Sequence, residues 1–324
     1  MDKVIVYGLG KMFWDNYDKI SARYEVVGYC DKDKMKLENS LNNAVMIDIN
    51  ELKERLSECD YILITSTRYL MDIIMDLTIN YGIGREKLVG ILYAVFLNSY
   101  FGGEFNGITY SGEYEDIYLD LLREKLRIPL KGMKYVEFGV MDPIIASNTY
   151  YFYEKGATGI LVEANSYLIQ NISSIRTRDM VINKAVYAGH ENKVNFYISN
   201  NVGLSSLNRN HLNGDLWGGT SIIETTEVET IHANDIFEML KGEVDLLSID
   251  VEGCDLDILK DIDFEKYRPK IIIAELTWDD EKNRYMYQGI VDFLCKNEYK
   301  LWFDNRYNGI FFDKRYAQIT GCLI

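Results

Sequence analysis

The stretch Asp245-Leu-Leu-Ser-Ile-Asp250-Val-Glu252-Gly253 joins a short apolar run to two acidic residues and a glycine. Three other segments share the pattern of an apolar run that ends at or near a carboxylate: Tyr135-Val-Glu137-Phe-Gly139, Gly159-Ile-Leu-Val-Glu163 and Lys270-Ile-Ile-Ile-Ala-Glu275. Short apolar runs bounded by turn residues are typical of strands that are buried on both faces of a parallel sheet. With helical segments between them, they predict an α/β fold in which the four carboxylates meet at one edge of the sheet.

Carboxylates at that edge favour one class of cofactor. S-Adenosylmethionine carries a ribose diol, a sulfonium and an ammonium group, and carboxylates bind all three by hydrogen bonds and charge pairing. A phosphate-bearing cofactor would instead prefer glycine-rich turns and amide donors at a helix N-terminus. A single acid in such a position could equally cap the following helix. Four acids in register favour the methionine-derived cofactor.

Two motifs extend the pattern: Asp142-Pro-Ile-Ile-Ala-Ser147-Asn148 follows the first run, and Lys155-Gly-Ala-Thr precedes the second. Together with residues 245–253 they resemble the FkbM family of S-adenosylmethionine-dependent methyltransferases, over about residues 113–315. The resemblance implies a class I methyltransferase sheet that ends in an antiparallel hairpin. It also implies methylation of a hydroxyl group, since family members mostly act on sugars, polyketides and related small molecules.

The resemblance further implies roles for individual residues. Glu163 would bind the ribose hydroxyls, and Asp250 would lie near the methionine group and the transferring methyl. The other cofactor residues would be Glu137, Gly139, Asp142, Ser147 and Asn148 in the first loop, Asn165 beside the adenosine, and Asn183 and Ala185 on the adenine side. One position departs from the family: Glu137 stands where an Asp is usual, which keeps the charge and extends its reach.

Transfer of a methyl group to oxygen requires an in-line approach and a base that takes the acceptor's proton. His211, in a polar loop where acceptor binding is expected, is one candidate base. Glu252 is the competing candidate if burial raises its pKa. Asp250 is expected beside the reacting methyl. A weaker alternative is that Asp250, Glu275 and Asp279 hold a divalent metal through oxygen ligands.

The first 95 residues predict a smaller α/β domain, in which Val4-Ile-Val-Tyr7 precedes Gly8-Leu-Gly10, and Asp31 ends the next apolar run. A glycine turn after a strand can hold a pyrophosphate, with an acid further on for the ribose. Because the third glycine of the dinucleotide fingerprint is missing, we expect a structural turn or a site for an activated sugar; a nicotinamide site is the alternative. The segment resembles Rossmann-like modules that accompany glycan-modifying enzymes.

Three regions follow: a Rossmann-like domain at residues 1–95, a connector loop and helix at 96–128, and a methyltransferase domain at 129–324. Within the last region, residues 179–186 predict a single strand. Residues 299–314 predict a terminal hairpin with Asn308-Gly309 as its turn.

Composition disfavours several classes of protein. The net charge of −15 argues against a nucleic-acid partner. Five dispersed cysteines argue against a disulfide framework and against a cysteine zinc site. No apolar run is long enough to span a bilayer, and a strand starts too early to leave room for a signal peptide. We therefore expect a cytoplasmic protein, with homo-oligomer formation left open.

The implied function is S-adenosylmethionine-dependent O-methylation of a sugar, nucleotide-sugar or other small hydroxylated acceptor, in surface-glycan or secondary-metabolite biosynthesis. Two alternatives remain open. The departure at Glu137 motivates a non-catalytic protein that binds a cofactor or nucleotide-sugar. The Gly8-Leu-Gly10 turn motivates a nicotinamide-dependent enzyme.

Overall fold

The computed structural model describes residues 2–33, 45–66, 70–84, 87–90, 109–112, 114–212, 220–241, 243–279, 282 and 284–322. Most of the expected connector loop, the side chain of Asp279 and residues 213–219 lie outside the described part. The chain divides into two compact units, Met1–Tyr114 and Glu115–Ile324, and each is described by itself. In the described residues, no helix has the length and apolar character needed to cross a membrane.

The first unit contains a four-stranded parallel sheet in the order β2-β1-β3-β4. Its strands are β1 (Lys3–Tyr7), β2 (Glu25–Cys30), β3 (Tyr61–Ile64) and β4 (Leu88–Gly90). Its helices are α1 (Lys11–Asp15), α2 (Tyr17–Arg23) and α3 (Leu70–Ile79), with 3₁₀ turns at Ile49–Glu51 and Glu54–Glu58. This confirms a smaller α/β domain with the Rossmann-like alternation of strands and helices.

The second unit is built on a seven-stranded sheet in the order β15-β16-β12-β11-β5-β6-β7. Its parallel strands are β5 (Lys134–Phe138), β6 (Thr158–Val162), β7 (Met180–Ile182), β11 (Leu246–Ile249) and β12 (Ile271–Glu275). The hairpin of β15 (Tyr299–Asp304) and β16 (Asn308–Asp313) pairs antiparallel with β12. This is the class I methyltransferase sheet with an antiparallel terminal hairpin, as expected.

Helices cover this sheet and bury its apolar side chains. They are α4 (Glu115–Lys125), α5 (Tyr150–Glu154), α6 (Ile169–Ile175), α7 (Ala233–Met239), α8 (Asp255–Asp261), α9 (Gln288–Lys296) and α10 (Lys314–Ile319). Apolar side chains of α7, α8 and α9 form one core cluster with those of β5, β11 and β12. In α4, Tyr118 stacks on Phe303 of β15 with ring centroids 3.6 Å apart. Because both faces are covered, ligands can reach the sheet only at its ends.

The single strand expected at residues 179–186 is wrong. The chain leaves β7 at Asn183 and then forms β8 (Ala185–Val186), which belongs to a separate sheet in the order β8-β10-β9. The side-chain amide of Asn183 donates to the carbonyl oxygens of Glu163 and Ala164, and these bonds compete with continued strand pairing. The other strands of that sheet are β9 (Lys193–Ser199) and β10 (Ile222–Ile231), and a two-stranded pair joins β13 (Trp278–Asp279) to β14 (Arg284–Tyr285).

The turn of the terminal hairpin also differs from the expected Asn308-Gly309. Asn308 and Gly309 lie in β16, and the turn is formed by residues 305–307, with Arg306 at a φ of +74°. The side-chain oxygen of Asn305 accepts the backbone N–H groups of Tyr307 and Asn308, so an asparagine side chain stabilises this turn. Gly309 instead permits close packing, because a Cβ there would lie 2.4 Å from a methyl carbon of Leu276.

Candidate active site

A cavity lies at the carboxyl ends of β5, β6 and β11. Gly139 follows β5, Glu163 follows β6 and Asp250 follows β11, and all three line the cavity. This is the edge at which open α/β sheets bind their ligands. The structure therefore brings these three expected cofactor residues together.

Gly139 allows two strand ends to approach each other closely. Its φ is +78°, and a Cβ atom at this position would lie 1.8 Å from the carbonyl oxygen of Asp250. No side chain larger than hydrogen fits that space. Glycine therefore sets the distance between the loop after β5 and the carboxylate after β11.

The Glu163 carboxylate connects the loop after β5 to the end of β6. Its Oε2 accepts the backbone N–H groups of Val140 and Met141 at 3.0 and 3.1 Å, and its Oε1 accepts that of Asn165 at 2.7 Å. Burial raises the pKa of Glu163, and these amide bonds oppose the rise. Glu163 also lines the cavity, so its carboxylate lies where a ligand can meet it.

Of the three residues expected on the adenosine side, one lines the cavity and two do not. Ala185 lines the cavity. Asn165 is buried, and its side-chain oxygen accepts the N–H of Tyr167, while Asn183 bonds the backbone after β6. The two asparagines thus hold the turns that surround the cavity and do not line it.

In the loop after β5, too, some residues line the cavity and others do not. Val140, Met141 and Ala146 line the cavity beside Gly139. Met141 and Ala146 adopt left-handed φ values of +53° and +59°, a conformation that costs an L-residue about 1–2 kcal/mol. The surroundings must supply that free energy.

Three expected cofactor residues supply part of the free energy that the left-handed conformations cost, because they form hydrogen bonds within or beneath the loop. Asp142 Oδ1 accepts the N–H groups of Ile144 and Ile145 at 2.9 and 2.8 Å. Ser147 Oγ accepts N–H groups at the start of α5, and the Asn148 amide donates to the Ser248 hydroxyl at 3.1 Å. These side chains shape the loop.

Glu137 lies beneath the loop and does not line the cavity. It is 3 % exposed, and its Oε2 accepts the Thr149 hydroxyl at 2.5 Å. Burial raises the pKa of Glu137, and the nearby Arg176 guanidinium opposes the rise. The residue that departs from the family is therefore part of a buried polar network.

Asp250, Glu252 and Glu275 form a cluster of carboxylates. One oxygen atom of each lies within 4.8 Å of the others. Asp250 lines the cavity and its surface is exposed to solvent, although many protein atoms lie around its carboxylate. Desolvation by these atoms, and the charges of Glu252 and Glu275, raise its pKa well above the ordinary value. Burial raises the pKa of Glu275 to about 7.

The cluster also has the ligand types that a divalent cation requires. Glu275 Oε1 accepts the Thr277 hydroxyl at 2.6 Å, whereas its Oε2 is buried and has no hydrogen-bond partner among the described residues. Asp279, the third ligand expected from the sequence, has a side chain outside the described residues. Glu252 completes the set of three in the structure.

His211 and Glu252, expected as competing bases, form a pair. His211 Nε2 lies 2.8 Å from Glu252 Oε2, and both side chains are largely buried. This contact raises the pKa of His211, and burial opposes the rise. The turn that carries Glu252 is held by Asp255, whose carboxylate accepts the N–H groups of Val251 and Gly253 at 3.2 Å.

Some cavity residues and their supports were not expected from the sequence. Lys184 lines the cavity and pairs with Glu229 at 3.1 Å, and residues 201–205 contribute another wall. Asn200-Asn201, a polar pair after an apolar run, was the available signal for that wall. Arg176, which supports the loop after β5 from below, had no signal beyond a charged residue before a strand.

In the first unit, the expected nucleotide residues form a hydrogen-bonded turn. Asp31 Oδ2 accepts the N–H of Leu9 at 2.7 Å, and its Oδ1 accepts that of Asp33 at 2.9 Å. Gly8 has a φ of +98°, and a Cβ at Gly10 would meet no atom within 4 Å. The turn is thus stabilised by the protein itself, and a nucleotide ligand stays a prediction.

The family model described as "Methyltransferase FkbM domain" matches residues 137–301, just over half of the 324-residue chain. The chain belongs to the FkbM methyltransferase family. A second model, described as "C2185-like, N-terminal", matches residues 1–89. A search of curated proteins gave no match to this FkbM chain.

Solved structures give distant matches to this FkbM methyltransferase. The methyltransferase FkbM of Methylobacillus flagellatus KT is 11% identical, with 96% of this chain and 90% of that chain covered and a TM-score of 0.35. A TehB-like SAM-dependent methyltransferase of Corynebacterium glutamicum is 10% identical, with 68% and 96% covered and a TM-score of 0.32. These values are too low to transfer residue roles to this chain.

Proposed function

We propose that the second unit binds S-adenosylmethionine in the cavity and transfers its methyl group to a hydroxyl of a small, sugar-containing acceptor. The observation that carries the proposal is the close approach of the Gly139 loop to Asp250, with Glu163 in the same cavity. The sugar, and a role in glycan or secondary-metabolite synthesis, rest on the family resemblance.

The donor set fits this cofactor. The Glu163 carboxylate in the cavity suits a ribose hydroxyl, and Asp250 suits a positive charge. Apolar side chains of Leu168, Ala185 and Val186 line the same cavity and suit the adenine ring. When bound, the cofactor would supply an electrophilic methyl group to the acceptor oxygen.

We assign the base to His211, with Glu252 as the residue that orients it. Neutral His211 donates its Nε2 proton to the Glu252 carboxylate, which leaves the lone pair on Nδ1. Nδ1 lies beside Gly253, where a Cβ would be 3.1 Å from it. His211 does not line the cavity, whereas Glu252 does, so the acceptor hydroxyl must approach at the Gly253 turn for its proton to move to Nδ1. Glu252 stabilises the resulting imidazolium.

Glu252 itself is the competing base, because it lines the cavity. Replacement separates the two assignments: Glu252→Gln abolishes turnover if Glu252 takes the proton. If His211 takes it, His211→Asn is the more damaging change. A divalent cation, if one binds, would be held by Asp250, Glu252 and Glu275 and would lower the pKa of the acceptor hydroxyl.

Calorimetry with S-adenosylhomocysteine tests the cofactor, and mass spectrometry of sugars and nucleotide-sugars incubated with S-adenosylmethionine tests the reaction. One bound ligand per chain is expected, together with a product that is heavier by one CH₂, because a methyl group replaces the hydrogen of the hydroxyl. Binding without any methylated product would favour the non-catalytic alternative. A thermal shift of the whole protein with NAD or NADP, and none with S-adenosylhomocysteine, would favour the nicotinamide alternative.

A further inference from the structure

Arg176 is the largest fully buried side chain in the described residues, and it does not line the cavity. We propose that Arg176 is a positioning residue for the methyl-donor site: it fixes the loop after β5 in the conformation that binds the cofactor. The inference rests on the proposed function, because it concerns the same cavity.

The guanidinium contacts three points of the loop. Its Nη1 donates to the carbonyl oxygen of Pro143 at 3.0 Å and to the Ser147 hydroxyl at 3.4 Å. Its Nη2 donates to the Thr149 hydroxyl at 2.7 Å. These acceptors flank Ala146, a left-handed residue that lines the cavity.

The same guanidinium is also anchored to the sheet. Its Nε donates to Asp179 Oδ2 at 2.8 Å, and its Nη2 also donates to the Tyr135 hydroxyl at 3.0 Å. Asp179 immediately precedes β7, and Tyr135 lies within β5. Arg176 thus ties the cavity loop to the rigid part of the sheet.

The loop requires such a tie because its conformation is unfavourable in isolation. Met141 and Ala146 are left-handed, and Glu163 holds only the Met141 side through backbone amides. On the Ala146 side, the positively charged side chain of Arg176 holds the loop through Pro143 and Ser147. Without it, the expected result is a loop that relaxes away from the cavity while the core of the unit stays folded.

Replacement of Arg176 alone is not a sufficient test, because it also removes a positive charge that balances buried carboxylates. Arg176 neutralises Asp179 and lies near the buried Glu137, so Arg176→Met alone leaves a buried carboxylate without its partner. The double variant Arg176→Met/Asp179→Asn removes both charges of the pair. It therefore separates the loss of the tie to the loop from the penalty of leaving Asp179 unpaired.

The experiment measures the dissociation constant of S-adenosylhomocysteine by calorimetry and the Tm by thermal unfolding. Compared with Arg176→Met, the double variant is expected to recover most of the lost Tm while its affinity stays at least about fivefold below that of the wild type. The single variant Asp179→Asn shows how much of the double variant's change in affinity and Tm comes from the loss of the Asp179 charge. Arg268→Met is the matched control, since Arg268 also pairs with an aspartate, Asp313, but at the amino end of β12.

An affinity of the double variant within fivefold of the wild type would overturn the inference, because the arginine would then serve stability alone. If the double variant does not fold, Arg176→Lys replaces it. Lysine keeps the charge but cannot bond both Asp179 and the loop, so the same fivefold loss is expected. Failure of the wild type to bind S-adenosylhomocysteine would instead refute the proposed function.

Discussion

His211 Nε2 and Glu252 Oε2 lie 2.8 Å apart, although 41 residues separate the two in the sequence. Glu252 has a left-handed φ of +55°, in a turn that Asp255 holds through two backbone amides. The left-handed conformation and the supporting carboxylate fix the direction of the Glu252 side chain. A carboxylate fixed beside an imidazole both orients the ring and stabilises its protonated form.

This pair predicts a pH dependence of turnover. The contact raises the pKa of His211 above 6.5, and a base must be unprotonated to act. The value of kcat/KM should therefore rise with pH, with a midpoint above 6.5. In Glu252→Gln the carboxylate is absent, so the midpoint should move to lower pH. His211→Asn should lower the rate by about 10²–10⁴.

A pH profile measured with saturating cofactor checks this assignment. A midpoint in Glu252→Gln equal to that of the wild type would mean that the pair does not set the rate. Loss of all activity in Glu252→Gln, with much of it kept in His211→Asn, would transfer the role of base to Glu252.

Gly139→Ala should greatly weaken cofactor binding. Its Cβ would lie 1.8 Å from the Asp250 carbonyl oxygen, so the strand ends must separate. We expect affinity for S-adenosylhomocysteine to fall by about 100-fold or more, because a displacement of about 1 Å can cost that much. Gly132→Ala is the matched control: Gly132 also has a positive φ, +81°, but a Cβ there meets nothing within 4 Å.

Gly132→Ala should lose about 1 kcal/mol of stability and bind the cofactor normally. Equal binding by the two alanine variants would show that the approach of Gly139 to Asp250 is unimportant for the site. Calorimetry of both variants, with circular dichroism to verify the fold, makes the comparison.

The raised pKa of Asp250 predicts that S-adenosylmethionine binds more tightly as pH increases. In the free protein, burial and the neighbouring carboxylates favour the protonated form, and a cationic ligand favours the carboxylate. Binding should therefore release protons, which calorimetry in buffers of different ionisation enthalpy measures. S-Adenosylhomocysteine lacks the sulfonium charge and should release fewer. Equal proton release by both ligands, or none, would contradict the placement of Asp250 near the sulfonium.

Glu275 predicts a pH dependence of stability for the protein without ligand. Its pKa is raised to about 7 from 4.5, so the folded protein binds this proton more tightly than the unfolded chain. Stability should therefore fall as pH rises through the interval from about 4.5 to about 7. Thermal unfolding should show a smaller fall for Glu275→Gln. A wild-type slope retained in the variant would mean that other groups cause it.

Chelation tests whether the carboxylate cluster holds a metal. In the proposed mechanism Asp250 faces the cofactor and Glu252 pairs with His211, so removal of divalent ions by EDTA should change turnover by less than about twofold. Restoration of a lost activity by Mg²⁺ or Mn²⁺ would instead make Asp250, Glu252 and Glu275 metal ligands.

Local sequence signals were sufficient for the central strands of the sheet, β5, β6, β11 and β12, and for two of its acids. Glu163 and Asp250 each follow the last residue of a buried strand, where the chain turns towards the cavity. Glu137 follows the same pattern in sequence, but it lies inside β5 and its side chain enters the layer below the loop. The pattern of apolar residues does not distinguish a carboxylate inside a strand from one just after it. A shift of one residue nevertheless reverses the direction of the side chain.

Other features depend on contacts between distant segments. The sequence identifies His211 and Glu252 separately, yet nothing local predicts that they meet. The break at Asn183 depends on carbonyl groups at the end of β6, and the position of Arg176 depends on the loop after β5. Such side-chain bonds to the backbone override the preference of an apolar run for one continuous strand.

Calorimetric titration of the wild type and Glu163→Gln with S-adenosylmethionine tests the central claim most directly. The account predicts one site per chain in the wild type. It also predicts an affinity at least about tenfold weaker in the variant, because the variant's amide replaces a carboxylate oxygen that accepts hydrogen bonds from the loop or the ribose. No binding to the wild type at millimolar ligand, or equal affinity in both proteins, would contradict it.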